Sequence, residues 1–265
     1  MARSDSYEEW AVSVSDHGIA SVELRHEKDA IDERGMVEFH EMLGRLPHRD
    51  DVEVILLTGG SSAFCVGLDI ATFVDIFDAT EGDEVERQRR IRELIHRFHG
   101  AILEMATVGC PVIAAVNGFA AGGGFSIALA SDQIIASADA EFTHAYTDIG
   151  ASSDGGSTYF LPRLVGLQKA KELVFTPQPL SADRMAELGV VNQVVEEDFE
   201  ETVRERARTL ADRPTEAIAR SKRLLNGSLD ATLEGQLERE REDMAEIVLT
   251  EEFERRVRGF VRGEE

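Results

Sequence analysis

A chain of 265 residues with 43% hydrophobic and 30% charged residues has ample apolar surface for a buried core and lies far from the composition of a disordered polymer. Two cysteines, Cys65 and Cys110, exclude a disulfide scaffold and a four-thiolate zinc site and fit a reducing cytoplasm. A net charge of −23, with only Lys28, Lys169, Lys171 and Lys222 as lysines among 28 basic residues, argues against nucleic acid as a partner.

The N-terminal stretch Met1 to Trp10 is acidic and lacks an apolar h-region, so no secretory signal is expected. Trp10 to Val14, the turn Asp16-His17-Gly18 and Ile19 to Leu24 predict a hairpin. Met36, Phe39, Leu43 and Leu46 recur at helical spacing until Pro47. Val52 to Thr58 is a continuous apolar run ended by Gly59-Gly60-Ser61-Ser62, as expected of a strand covered on both faces. Ile91, Leu94, Ile95, Phe98 and Ile102 form the stripe of a long helix, on which His96 and His99 read as solvated residues rather than metal ligands. Pro111 to Val116 predicts a strand and Gly122 to Ala130 a helix. The glycines and Asn117 argue against one membrane span across this region. Strands alternating with helices predict an α/β core with largely parallel pairing. From residue 197 the pattern becomes helical throughout, with Phe199, Val203, Ala207 and Leu210 on one helix and Pro214 opening another. The expected division is 1–196 for the core with its site and 197–265 for a helical oligomerisation region.

The acid excess is spread along the chain rather than gathered in a tail. Such a carboxylate-rich, lysine-poor surface suits a high-salt (halophilic) setting, where screening over roughly 3 Å at 1 M relieves self-repulsion.

Two glycine-rich bends carry the chemistry. In Asn117-Gly-Phe-Ala-Ala-Gly-Gly-Gly124 a buried strand runs into glycines that open a helix, exposing amides that stabilise negative charge. A phosphate loop would need Lys and Ser/Thr where Gly124 and Phe125 stand, and a dinucleotide fingerprint would need glycine at Ile127. An oxyanion hole remains, requiring a second amide from elsewhere. The bend Ser61-Ser-Ala-Phe-Cys-Val-Gly-Leu-Asp69 offers one.

The pairing of Leu57-Thr-Gly-Gly-Ser-Ser-Ala-Phe-Cys-Val-Gly-Leu-Asp69 with the 117–124 stretch resembles the enoyl-CoA hydratase/isomerase (crotonase) family. Asp154-Gly-Gly-Ser-Thr-Tyr-Phe-Leu-Pro-Arg-Leu-Val-Gly166, Leu180-Ser-Ala-Asp183, Leu188-Gly-Val-Val-Asn-Gln-Val-Val195 and the helical tail follow in register. The resemblance implies a ββα spiral core with a C-terminal helical trimerisation region, and a homotrimer or dimer of trimers in the cytoplasm. The implied substrate is an acyl-CoA thioester. Coenzyme A enters as part of that substrate, with no separate cofactor, metal, nucleic-acid or membrane partner.

By the same resemblance the Leu68 and Gly123 amides polarise the thioester carbonyl, with Gly67, Gly122 and Gly124 shaping the bends. Arg25, Lys28 and Ala30 would lie near the nucleotide or substrate. Typical hydratases of the family use two glutamates; here Ser126 and Tyr146 stand in those places, which argues against simple hydration. Asp154 remains, in a position where isomerase-like members resemble one another in carrying a single proton-moving acid. That role calls for a mostly apolar pocket without water. The other reading of Asp154 is a helix N-cap. Cys65 reads as packing, Tyr146 as a core aromatic or an orienting hydroxyl, and Asp69 as ordering its turn. The expected activity is a 3-enoyl to 2-enoyl-CoA isomerisation. The alternatives are a 2-enoyl-CoA hydratase, an isomerase of ring-type aromatic acyl-CoA, and an inactive acyl-CoA binding subunit.

Overall fold

The computed structural model describes residues 3–60 and 62–263. Met1 and Ala2 of the N-terminal stretch, and Ser61 of the first glycine bend, lie outside the described residues. Strands β1 (Arg3–Ser6), β2 (Trp10–Val14), β3 (Ile19–Leu24), β4 (Val54–Thr58), β6 (Val112–Val116), β8 (Gln133–Ser137) and β11 (Gln193–Val195) form one sheet in the order β1-β2-β3-β4-β6-β8-β11. The β1-β2-β3 end is antiparallel, with Trp10 opposite Leu24 as the hairpin pattern requires, and β3 to β11 pair in parallel.

The unbroken apolar run in β4 follows from cover on both faces. Because side chains alternate along a strand, Ile55 and Leu57 face one core and Val54 and Leu56 the other. On the first side lie α1 (Glu33–Leu43) and α3 (Glu84–Thr107), with Phe39, Met42, Phe98 and Met105 buried. Trp10 stacks on Phe39 with centroids 4.7 Å apart, and its indole N–H donates to Gly35 O at 2.9 Å. On the second side Val203 and Ala207 of α8 (Phe199–Ala211) pack against Val54, Leu56 and Ile113. The first helix after residue 196 therefore closes the core. Leu46, expected on α1, belongs instead to a short 3₁₀ turn over Leu46–His48, because α1 ends at Gly44 and Pro47 starts a new turn.

A second, smaller sheet positions the site. It runs β10 (Leu180–Ser181), β9 (Glu141–Thr143), β7 (Phe119–Ala121), β5 (Ala63–Cys65). β5 and β7 leave neighbouring strands of the first sheet and run parallel to each other, Ala63 beside Phe119. Asn117 ties their approaches together: its carboxamide accepts from Gly59 N (3.2 Å) and donates to Gly60 O (2.7 Å). After β5 comes α2 (Ile70–Ala79), and after β7 comes α4 (Gly123–Ala130).

The remaining helices are α5 (Ser157–Val165), α6 (Leu167–Phe175), α7 (Ala182–Glu187), α9 (Thr215–Ser228), α10 (Leu233–Ile247) and α11 (Glu251–Arg262). Lys222 fastens α9 to the core: its buried ammonium donates to Met105 O (2.8 Å) and Asp132 Oδ2 (2.7 Å), and that carboxylate also accepts from Val112 N (2.8 Å). No helix among the described residues is long and apolar enough to cross a membrane.

Candidate active site

The parallel β5–β7 pair delivers both glycine bends to one place. Ile31 N–H donates to Gly67 O (2.7 Å) and Asp69 N–H donates to Ile31 O (2.9 Å). Successive peptides of an extended segment point to opposite sides, so the Leu68 N–H between them turns away from Ile31. Gly123 opens α4, and its N–H is one of the unpaired donors at the helix start. The bends touch: a side chain begun at Gly67 would come 2.9 Å from the Gly123 nitrogen, and one begun at Gly123 would lie 3.8 Å from the Leu68 nitrogen. Gly67 (φ 95°) and Gly122 (φ 50°) hold left-handed conformations that allow this approach.

Leu68 and Gly123 line a cavity of about 580 Å³, together with Gly67, Gly122, Tyr146 and Asp154. Its other walls are largely apolar, from α2, α3 and Ile31. Gly124 and Ala30 do not line it. Gly124 is a packing glycine, since a Cβ there would meet Cys65 O at 1.9 Å, and Ala30 is buried in the loop that grips the Gly67 bend. Arg25 is exposed and also lies outside the lining. Lys28 pairs with Asp69, Nζ to Oδ2 at 2.7 Å. Asp69 does order its turn: it caps α2 through Ala71 N–H (3.0 Å), and the Lys28 bond holds its carboxyl below the usual range. Cys65 is buried packing, its thiol pushed up to about 12 by burial.

Asp154 is not a helix cap. Gly155 (φ 59°) and Gly156 (φ 74°) intervene, and Gly156 occupies the N-cap of α5. Instead the main chain of Asp154 is pinned: its carbonyl accepts from Ser126 Oγ (3.0 Å) and Ser157 Oγ (2.9 Å). This leaves the carboxylate to face the cavity, where Oδ1 stands 2.5 Å from His99 Nε2.

His99, 49% exposed as expected of a solvated helix residue, is also the hydrogen-bond partner of Asp154. Its signal in the sequence is positional: His99 follows Ile91 and Ile95 at four-residue spacing, beside the stripe that lines the cavity.

Ser126 does more than fill space. Fully buried, it also exchanges a hydrogen bond with the Tyr146 hydroxyl (3.0 Å), whose ionisation is pushed far up by burial. Tyr146 accordingly lines the cavity with its hydroxyl tied to the support of Asp154. Behind this group His144 Nε2 lies 3.2 Å from Ser157 Oγ. The Ser157 proton goes to Asp154 O, so His144 donates through Nε2–H to Ser157 Oγ. Its Nδ1 is a buried acceptor with no partner among the described residues, and burial lowers the imidazole's proton affinity.

The arrangement can stabilise an oxyanion with two amides while a carboxylate works on the neighbouring carbon, with the neutral hydroxyls of Ser126 and Tyr146 beside it. The sequence matches the family described as enoyl-CoA hydratase/isomerase over residues 15–264. It is 34% identical over 247 residues to 4-chlorobenzoyl coenzyme A dehalogenase-2 of Arthrobacter sp, covering 93% of this chain and 83% of the relative. It is 30% identical to 1,2-epoxyphenylacetyl-CoA isomerase of Escherichia coli K12, covering 88% of each. Among solved structures, an enoyl-CoA hydratase/isomerase from Cupriavidus metallidurans CH34 superposes with a TM-score of 0.87 at 30% identity, covering 98% of this chain and 96% of that one.

Proposed function

Because the chain belongs to the enoyl-CoA hydratase/isomerase family, we propose that it is an acyl-CoA enzyme that shifts a double bond from the 3- to the 2-position, with Asp154 as the single proton carrier. The observation that carries this reading is the pinned Asp154, its carboxylate at the cavity beside the paired bends, while Ser126 and Tyr146 hydrogen-bond to each other where a hydratase would present acids.

The thioester oxygen would sit between the Leu68 and Gly123 amides. Asp154 takes a proton from C2; the C–H electron pair moves into the C1–C2 bond and the charge settles on the thioester oxygen, where two fixed donors can supply several kcal/mol. As the enolate collapses, the C3=C4 pair takes the same proton from Asp154 at C4, leaving the double bond between C2 and C3. No atom is gained or lost, so one residue suffices. His99 orients the carboxylate through its 2.5 Å contact. The exposed Leu225 of α9, Leu229 just after it, and Leu233 and Leu237 of α10 support assembly of the tail regions into a homotrimer or a dimer of trimers.

The test is Asp154→Asn. Conversion of a 3-enoyl-CoA, followed by the absorbance of the conjugated product, should fall about 10²–10⁴-fold while binding of the saturated thioester persists. A parent protein with no such turnover would sink the reading.

The His99 contact favours a second reading, on an aromatic acyl-CoA that carries a leaving group on its ring. Asp154 Oδ would attack the ring carbon and the leaving group would depart with its electron pair, giving an aryl ester. A water relieved of its proton by the half-exposed His99 would then hydrolyse that ester. Halide release from a chlorobenzoyl-CoA separates the two: the isomerase reading expects none.

A further inference from the structure

We propose that the acyl group this site selects is an uncharged hydrocarbon tail reaching about eight carbons from the thioester carbonyl. This deepens the reading above and rests on it only in taking the cavity as the acyl-CoA site. Phe98 marks the level of the reacting carbons: a Cβ at Gly123 would lie 3.5 Å from its ring and one at Gly155 2.6 Å. From there the cavity wall continues along α3 through Ile95 and Leu94 to Ile91, faced by Ile70 and Phe73 of α2. At 1.5 Å per helical residue, the step from Phe98 back to Ile91 is about 10 Å.

An extended hydrocarbon advances about 1.25 Å per carbon, given bonds of roughly 1.52 Å at near-tetrahedral angles, so about eight carbons fit along that wall. One turn beyond Ile91 the two helices are locked together. Arg87 Nε donates to Thr80 Oγ1 (3.2 Å), and the guanidinium sits 5.2 Å from the centre of the Phe77 ring.

Charge sets the second half of the specificity. Among the described residues lining the cavity there is no Lys, Arg or His, and the two ionisable carboxyls are Asp148 and Asp154, the latter engaged by His99 at the head end. A tail ending in a carboxylate would meet apolar walls and like charge, while the Arg87 guanidinium beyond Ile91 is already engaged by Thr80 and the Phe77 ring.

Calorimetric titration of the intact protein with saturated butanoyl-, hexanoyl-, octanoyl- and dodecanoyl-CoA, and with an eight-carbon thioester bearing a terminal carboxylate, tests this without turnover. Affinity should rise about three- to fourfold per methylene up to octanoyl and stop there. The carboxylated tail should bind at least about tenfold more weakly than octanoyl, the loss of more than one buried methylene's worth of affinity. Ile91→Trp, which fills the far end, should move the limit to a shorter chain.

A flat series, gains that continue to dodecanoyl, or equal binding of the carboxylated tail would overturn the proposal. If the series behaves as stated but no 3-enoyl-CoA is converted, the isomerase reading fails alone. A flat series in a protein that does convert 3-enoyl-CoA removes the tail specificity alone.

Discussion

The two partners of the proposed reaction are held by different means. The oxyanion end is made of main chain: Gly67, Gly122 and Gly123 let two bends approach until the Leu68 and Gly123 amides share one corner of the cavity. The acid end is made of side chains: Asp154 follows α4 and the second sheet, and His99 comes from α3, separated from it by 55 positions. A backbone site depends on what is missing from its glycines. A side-chain site depends on the props beneath it.

The sharpest way to break the first end is Gly67→Ala. An alanine there must adopt φ near 95°, and its Cβ would press on the Gly123 nitrogen at 2.9 Å. We expect kcat to fall about 10²–10³-fold, as for loss of an oxyanion donor. The cost in stability should be only about 1–3 kcal/mol, so that kinetics and melting separate the two effects.

At the acid end, Ser126→Ala strips a donor from Asp154 O and a partner from the Tyr146 hydroxyl. The expected cost is about 1–3 kcal/mol of stability, read from denaturant unfolding, with a smaller loss of turnover than Gly67→Ala because the carboxylate itself is untouched. Equal kinetic losses in the two variants would erase the distinction between the ends.

The mildest effect is a pH dependence of the support. Burial lowers the proton affinity of His144 below its ordinary 6.5, so the unfolded chain takes up a proton near that pH while the folded one does not. Its contribution to stability is present above about 6.5 and is lost as pH falls. His144→Gln should flatten the decline in melting temperature between pH 7 and pH 5.5.

The same division explains what could be read from the residues alone. The β2–β3 hairpin, the doubly covered β4 and the long α3 follow from periodicity, and both glycine bends were visible because left-handed turns and close approaches need that residue. Asp154 was found through resemblance, but its freedom from capping depends on Gly155 and Gly156 holding positive φ and on two serines seizing its carbonyl, which no local pattern announces. His99 looked like one more exposed helix residue; only packing of α3 against the turn before α5 turns it toward a carboxylate. The pairing of Lys28 with the acid that caps α2 is likewise invisible to any local pattern.

The Lys222 ammonium, held by one carboxylate and the carbonyl at the end of α3, bears on how far the chain can be shortened. A fragment cut at residue 196 would strand Asp132 without its counter-ion next to the start of β6. It would also uncover the apolar face that α8 protects. The helices at the end of the chain are thus part of what lets the catalytic half exist in water at all.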